Sequence, residues 1–256
     1  MYQEEYLALA NASEKKTKLL ENNLGGYFVA AMLAGLYVGL GIMLIYTAGG
    51  MVAGLPYAKV LMGVSFGIAL SLVIMAGAEL FTGNNMVMTA GLMLKKVTPA
   101  QTVKLWAVCF FGNWVGSALL AVLFWCSGLA EGATAEIIAH TSAAKMSLPP
   151  CALFFRGFLC NILVCLSTWC SYRCKSDSGK LIMIFWCLYC FITSGYEHGI
   201  ANMSLLAVGL LSPAGSAVSL GGYLYNVLVV SAGNLCGAVI VLALPYYLIS
   251  REKAAS

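Results

Sequence analysis

The sequence predicts an all-α integral membrane protein with six transmembrane helices, of which the second and the fifth are broken. Three observations predict this fold: a strongly apolar composition, six apolar segments of spanning length, and an internal repeat. Of the 256 residues, 61% are hydrophobic and 9% are charged, a composition far outside that of a soluble globular domain. The net charge of +4 comes from basic residues scattered over short loops. We therefore expect a lipid bilayer, and no nucleic acid, as a partner.

The N-terminal segment, residues 1–24, interleaves apolar residues with charges. Such a segment is no cleavable signal peptide, which needs an uninterrupted apolar stretch. The pattern is typical of an amphipathic helix lying on the cytoplasmic membrane surface or against a neighbouring subunit.

Six segments are long enough to cross about 30 Å of hydrocarbon, which takes about 20 apolar residues. They lie near residues 25–47, 57–94, 101–128, 149–173, 180–211 and 217–250. The second and fifth are too long for simple spans, and polar stretches interrupt them: AELFTGNN at 78–85 and YEHGIAN at 196–202. A capping threonine and a first-turn proline, Thr98-Pro99, predict the start of the third span.

The distribution of lysine and arginine over the short loops predicts the orientation in the membrane. One side collects eleven basic residues: Lys15, Lys16, Lys18, Lys95, Lys96, Lys104, Arg173, Lys175, Lys180, Arg251 and Lys253. The other side has three: Lys59, Lys145 and Arg156. We therefore expect both termini in the cytoplasm and a cell-membrane location, which agrees with an even number of spans.

Short motifs recur in the same order in the two halves of the chain. Gly77-Ala78-Glu79 corresponds to Gly195-Tyr196-Glu197, Asn85-Met86 to Asn202-Met203, and GNWVG at 112–116 to GNLCG at 233–237, at offsets of 118, 117 and 121 residues. The repeats are residues 25–128 and 149–250, joined by an outer connecting loop at 129–148 and followed by a cytoplasmic tail at 251–256. Because each repeat has three spans, the second enters the membrane from the opposite face.

Broken backbone at membrane depth is tolerated only where protein buries it or where it lines a water-filled cavity. We therefore expect the two breaks to face each other across a permeation path. Half-helix N-termini favour an anion, and Thr82 and His198 add a hydroxyl and an imidazole there. The alternative is that Thr82 only caps its half-helix and that His198 is a satisfied core histidine, but ionisable groups within spans are functional candidates.

Other polar residues at the breaks are predicted to form a scaffold. Glu79 and Glu197 occupy equivalent positions, so we expect each to accept hydrogen bonds from backbone N–H groups of its own break; a proton-relay role is the alternative. The asparagines predicted to satisfy broken backbone in the same way are Asn85, Asn202, Asn113, Asn234 and Asn161. The glycines of GNWVG and GNLCG have the i, i+4 spacing of close helix packing.

Bulky apolar residues precede each break. Phe66, Leu70 and Phe191 can project toward the path and form dry constrictions, although ordinary helix packing explains the same spacing. An anion in a dry constriction loses its hydration at a high cost, so protein donors must replace the water or a proton must neutralise the ion. Lys145 and Lys16 are candidates to concentrate anions in the two vestibules, and for Lys16 a plain solvated charge is the favoured interpretation.

These motifs resemble the formate/nitrite transporter family along essentially the whole chain. The resemblance rests on AELFTGNN, CNILVCLSTW at 160–169, GYEHGIANM at 195–203 and GNLCG. It implies an aquaporin-like protomer in a prokaryotic homopentamer that passes small monovalent anions such as formate, nitrite, hydrosulfide or acetate. It also implies that Thr82 and His198 are the central pair, Phe66, Leu70 and Phe191 the constriction residues, and Lys145 the outer-vestibule lysine.

The chain departs from many relatives at the first break. They have Asp-Leu-Phe-Thr-Ser, whereas Glu79 and Gly83-Asn84 stand here. The Gly-Tyr-Glu-His sequence is more similar to the nitrite and hydrosulfide branches than to the formate branch. Whether protons accompany the anion is left open by the sequence.

Two other functions compete with anion transport. An aquaporin-type channel for neutral solutes lacks its paired Asn-Pro-Ala motifs, because neither break contains proline. A membrane redox enzyme needs metal or haem ligands, yet the histidines are only His140 and His198, and the ten cysteines have no zinc-type spacing. We therefore predict no enzyme activity, no metal and no cofactor.

Overall fold

The computed structural model describes residues 1–251, and residues 252–256, including Lys253 of the predicted tail, lie outside the described part. Ten helices form the described chain: α1 Gln3–Asn22, α2 Leu24–Met51, α3 Ala58–Gly77, α4 Phe81–Met93, α5 Pro99–Cys126, α6 Gly132–Met146, α7 Pro150–Arg173, α8 Asp177–Ser194, α9 Gly199–Leu211 and α10 Leu220–Ser250. Within them, residues 73–77 of α3 and 238–243 of α10 are wound as π-helix.

Five of these helices, α2, α3, α5, α7 and α10, are long and apolar enough to span a membrane. The pair of α8 and α9 supplies a sixth span that is bent by 53° at its break. The second span is likewise broken, between α3 and the half-helix α4. The predicted fold, with six spans and two broken ones, is confirmed.

The repeat unit is larger than the three spans that the sequence predicted. Helices α1–α5 correspond in order to α6–α10, and in each unit the first and last spans pack together, α2 with α5 and α7 with α10. The segment expected as a connecting loop, 129–148, contains α6. Its small and polar residues concealed a helix that buries Ala135, Ile138, Ala139 and Ser142 on one face.

Local sequence explains how the last span of each unit begins and packs. A capping box of Thr98 and Gln101 starts α5, as predicted. Gly116 and Gly237 lie at the crossings of α5 with α2 and of α10 with α7, where a Cβ atom would collide with a backbone carbonyl of the facing helix. These glycines therefore permit the close approach that the i, i+4 spacing predicted.

Helix α1 is anchored to its own chain. Its apolar face buries Tyr6, Leu9 and Ala10, chiefly against the half-helix α4. The Tyr6 hydroxyl also donates to the backbone carbonyl of Ala243 at 3.0 Å. Neither a bilayer surface nor a neighbouring subunit is therefore needed to cover this face.

Candidate functional site

Both broken spans turn at a glycine in the left-handed region of backbone space. Gly77 has a φ of 79° and Gly195 a φ of 76°, values that glycine adopts without a Cβ clash. Two residues later, the backbone N–H of Glu79 donates to a carbonyl of α2 at 3.1 Å and that of Glu197 to a carbonyl of α7 at 3.2 Å. The two breaks are thus held by equivalent contacts, one in each repeat.

Two asparagines, one from the third span of each repeat, complete the breaks. The Oδ1 atoms of Asn113 and Asn234 accept the first N–H of each half-helix, from Phe81 and Gly199, both at 2.9 Å. Their Nδ2 atoms donate to the backbone carbonyl of the preceding glutamate at 2.8 and 3.0 Å. Each side chain therefore satisfies a freed donor and a freed acceptor of broken backbone, which would be costly to leave unpaired.

The two glutamates bind side chains and not the backbone N–H groups that we expected. Lys16 donates to Glu79 at 2.6 Å and Lys145 to Glu197 at 2.6 Å. Tyr27 gives Glu79 an additional donor at 3.3 Å. The expectation was wrong because the asparagines and the facing helices already satisfy the backbone, which leaves each carboxylate free to hold a lysine from α1 or α6.

The expectation that Lys16 is a plain solvated charge was also wrong. Its side chain is 21% exposed and its partner Glu79 is 12% exposed, against 17% and 3% for Lys145 and Glu197. Both lysines are therefore paired and largely covered. The pairing was missed because the sequence does not show α6, and so gives no sign that Lys16 and Lys145 occupy equivalent helices.

The asparagine that corresponds to Asn202 is Asn84 and not Asn85. Asn202 donates to Glu197 at 2.6 Å and Asn84 to Glu79 at 2.9 Å, each five residues after its glutamate. Within residues 1–251, the buried side-chain amide of Asn85 has no hydrogen-bond partner. The prediction for Asn85 was wrong because it followed the offset of 117 residues, whereas the breaks align throughout at 118.

Thr82 and His198 meet between the two half-helices. The Thr82 hydroxyl lies 3.0 Å from His198 Nε2, and both residues are buried. His198 Nδ1 accepts the backbone N–H of Ala201 at 3.1 Å, so the imidazole caps its own half-helix. An acceptor nitrogen carries no proton; the proton of the neutral imidazole is therefore on Nε2, which donates to Thr82.

Helix α7 fixes the backbone of Thr82. The amide of Asn161 donates to the Thr82 carbonyl at 3.2 Å and to the Asn234 carbonyl at 2.8 Å. The Cys165 thiol donates to the same Thr82 carbonyl at 3.4 Å. Asn161 therefore links the half-helix of the first break to the asparagine that holds the second.

A small apolar chamber adjoins His198. Its lining includes the three predicted constriction residues, Phe66, Leu70 and Phe191. The rings of Phe66 and Phe191 form an edge-to-face pair with centroids 5.4 Å apart, and Phe191 stacks on His198 at 6.0 Å. The chamber volume is ≈ 10 Å³, which accommodates about one water molecule.

Sequence reasoning missed other lining residues of the chamber, among them Leu80. Leu80 borders both the chamber and the larger cavity beside α1, so it belongs to the constriction with Leu70. Its position directly between Glu79 and the half-helix was the available signal. Thr82 does not line the chamber or either of the two larger cavities beside it, and its hydroxyl contacts His198, which does line the chamber.

Two larger cavities flank the chamber. The Lys16 vestibule, of ≈ 480 Å³, is lined by Lys16, Glu79, Leu80, Gly83 and Lys180 among others. The Lys145 vestibule, of ≈ 370 Å³, is lined by Lys59, Lys145, Arg156, Glu197 and Tyr196 among others. Each vestibule therefore contains one of the two lysine–glutamate pairs.

Comparison with known proteins places this architecture among membrane transporters. The family model described as formate/nitrite transporter matches residues 3–248. The nitrite transporter NirC of Escherichia coli strain K12 is 41% identical over 243 residues, covering 93% of this chain and 88% of that protein. The formate channel FocA of the same strain is 30% identical over 244 residues, covering 87% and 85%.

Solved structures agree with this placement. A structure described as an FNT family ion channel superposes with a TM-score of 0.93 at 37% identity, over 97% of this chain and 99% of that one. A structure described as a pentameric formate channel with formate bound superposes with a TM-score of 0.77 at 25% identity, over 88% and 96%. The overall fold is thus shared with ion channels of known structure.

Proposed function

The chain belongs to the formate/nitrite transporter family, and on that premise we propose that each protomer passes small monovalent anions of the nitrite, formate and hydrosulfide class through its central chamber. It is a multi-pass membrane transporter and not an enzyme. The observation that carries the proposal is the meeting of Thr82 and His198 at 3.0 Å between two half-helix N-termini. Beside them is an apolar chamber, and each of the two larger cavities contains a lysine.

The assembly and sidedness follow from the same premise. A homopentamer is supported by the solved pentameric formate channel, with one path per protomer. The lysine and arginine distribution supports a cytoplasmic position for both termini in a prokaryotic cell membrane. On this account the Lys16 vestibule faces the cytoplasm and the Lys145 vestibule faces outward.

A proton accompanies the anion through the chamber. Among the described residues that line the chamber, all but His198 are apolar. Removing the water from a bare anion costs tens of kcal/mol in the idealised limit. Protonating a carboxylate of pKa about 3.5 at pH 7 costs about 5 kcal/mol, at 1.36 kcal/mol per unit. The neutral acid is therefore the cheaper species to pass, and its proton comes from the bulk solution with which a vestibule is in equilibrium.

His198 contributes a hydrogen bond and not the proton itself. Its Nδ1 is occupied by the N–H of Ala201, so the imidazole is neutral, and loss of the Nε2 proton would leave an unstable anionic ring. The Nε2–H group can therefore exchange its hydrogen bond to the Thr82 hydroxyl for one to the oxygen or sulfur of the permeating species. The proton stays on Nε2. The backbone anchoring of Thr82 by Asn161 and Cys165 fixes the hydroxyl that the Nε2–H group binds when no permeating species is present.

Flux measurements in proteoliposomes test the proposal. Purified protein should take up formate, nitrite or hydrosulfide faster than protein-free vesicles, and formate or nitrite uptake should acidify the lumen in step with a cotransported proton. Glycerol-driven swelling at the protein-free rate is expected, because glycerol is considerably larger than formate or nitrite and the chamber beside Phe66, Leu70 and Phe191 is already narrow. Swelling with glycerol and no anion uptake would favour an aquaporin-type channel instead.

A further inference from the structure

The three basic residues predicted for the outer face all line one cavity. Lys59 comes from the first turn of α3, Lys145 from the last turn of α6 and Arg156 from α7, and all three border the Lys145 vestibule. Outer loops of this chain are poor in basic residues, so their convergence on the vestibule is not explained by a generally basic outer surface.

The positive charge of Lys145 is offset within the vestibule. Its ammonium group lies 2.6 Å from Glu197. Among the residues that the structure describes, neither Lys59 nor Arg156 takes part in an ion pair, and both are exposed. Glu131, which precedes α6, and Glu136, in α6, do not border the cavity. Two uncompensated positive charges therefore remain in this vestibule.

The Lys16 vestibule has no such surplus in the described chain. Lys16 is paired with Glu79 at 2.6 Å, and Lys180 is paired with Asp177 at 3.0 Å. Both basic residues that line this cavity are thus compensated. The two vestibules resemble each other in their lysine–glutamate pairs but differ in net charge.

From this difference we infer that Lys59 and Arg156, and not Lys145, draw anions into the Lys145 vestibule, which makes capture from the outer side more favourable than capture from the cytoplasm. The inference rests on the proposed function and assigns specificity-determining residues to it. A concave cavity lined by one sign of charge focuses the field and raises the local concentration and association rate of counter-ions by about tenfold or more. The paired Lys145 is left with a positioning task, which is to hold Glu197 beside the second break.

Nitrite uptake by the full-length protein, measured from both sides of the membrane, tests the inference. Intact cells expose the outer vestibule and everted vesicles expose the cytoplasmic one. In intact cells at low ionic strength, Lys59→Gln/Arg156→Gln should raise the half-saturating nitrite concentration about tenfold with an unchanged maximal rate. At about 0.5 M salt the difference should fall below about twofold, because the Debye length is then well under about 10 Å. In everted vesicles the variant should match the wild type.

Matched variants separate charge from structure. Lys59→Arg/Arg156→Lys retains both charges and should behave as wild type. Lys175→Gln removes one charge from an exposed loop residue that lines neither vestibule and should have no effect. An unchanged half-saturating concentration in Lys59→Gln/Arg156→Gln, or a change that survives high salt, overturns the inference. Absence of nitrite, formate and hydrosulfide uptake by the wild type overturns the proposed function itself.

Discussion

Removing the Lys145 ammonium should destabilise the protein strongly. Glu197 is 3% exposed, and Lys145→Met leaves its carboxylate with Asn202 as its remaining side-chain donor in the described chain. Breaking a buried ion pair by deleting one partner typically costs about 3–5 kcal/mol, because a buried charge is left uncompensated. For a protomer of this size, that loss corresponds to a fall of roughly 10 °C in the unfolding midpoint.

Removing the carboxylate charge as well should restore most of the loss. In Lys145→Met/Glu197→Gln no buried charge remains, and the amide oxygen introduced in place of the carboxylate still accepts the bond from Asn202. Apolar or neutral replacements of a buried pair are often close to neutral in stability. The double variant should therefore unfold within a few degrees of the wild type, with a coupling free energy of about 2 kcal/mol or more.

Thermal unfolding in detergent, followed by tryptophan fluorescence, measures all four proteins of this cycle. The exposed pair of Glu14 and Lys18, at 38% and 65% exposure, serves as the control, and Lys18→Met should leave the midpoint unchanged. Additive midpoint shifts for the two buried substitutions would refute the reasoning, because they would show that the ion pair is not a single energetic unit.

Three other perturbations have defined outcomes. His198→Asn keeps an N-cap acceptor for the Ala201 N–H, so nitrite uptake in liposomes should slow while still rising as pH falls; a flat pH profile would mean that the imidazole supplies the proton. Phe66→Ala opens one side of the chamber, so glycerol swelling should exceed the protein-free rate; persistent exclusion would place the constriction elsewhere. Asn234→Ala leaves one buried N–H and two buried carbonyls without a partner, at about 1–3 kcal/mol for each group. The unfolding midpoint of this variant should therefore fall well below that of the surface control Asn22→Ala. Equal midpoints would show that Asn234 does not hold the second break.

The spans and breaks were predictable because membrane burial imposes a simple rule. A run of about 20 apolar residues must be helical, and polar residues such as Glu79 and His198 inside such a run are costly without a special environment. The glycines at the two breaks, Gly77 and Gly195, also supplied the register of the repeat. Composition and motif order therefore determined the architecture without any knowledge of contacts.

The pairing of charges was not predictable, because it depends on helices that lie outside the hydrophobic pattern. Helix α6 is rich in small and polar residues, so the correspondence of Lys145 with Lys16 was hidden. The two offsets near the breaks, 117 and 118 residues, differ by one. Following the offset of 117 led to the prediction of Asn85 in place of Asn84. Leu80 was missed because a residue in an extended segment has no periodicity that shows which way it points.

The tautomer of His198 is the most direct test of the central claim, which is that a neutral imidazole donates through Nε2 beside the chamber. The chain has two histidines, and His140 is exposed on α6, so His140→Gln leaves a single imidazole for nitrogen-15 solid-state NMR in bilayers. We predict an unprotonated Nδ1 and a protonated Nε2 between about pH 5 and 8, with the Nε2 signal shifting when nitrite is added. A doubly protonated ring at neutral pH, or a proton on Nδ1, would contradict the account.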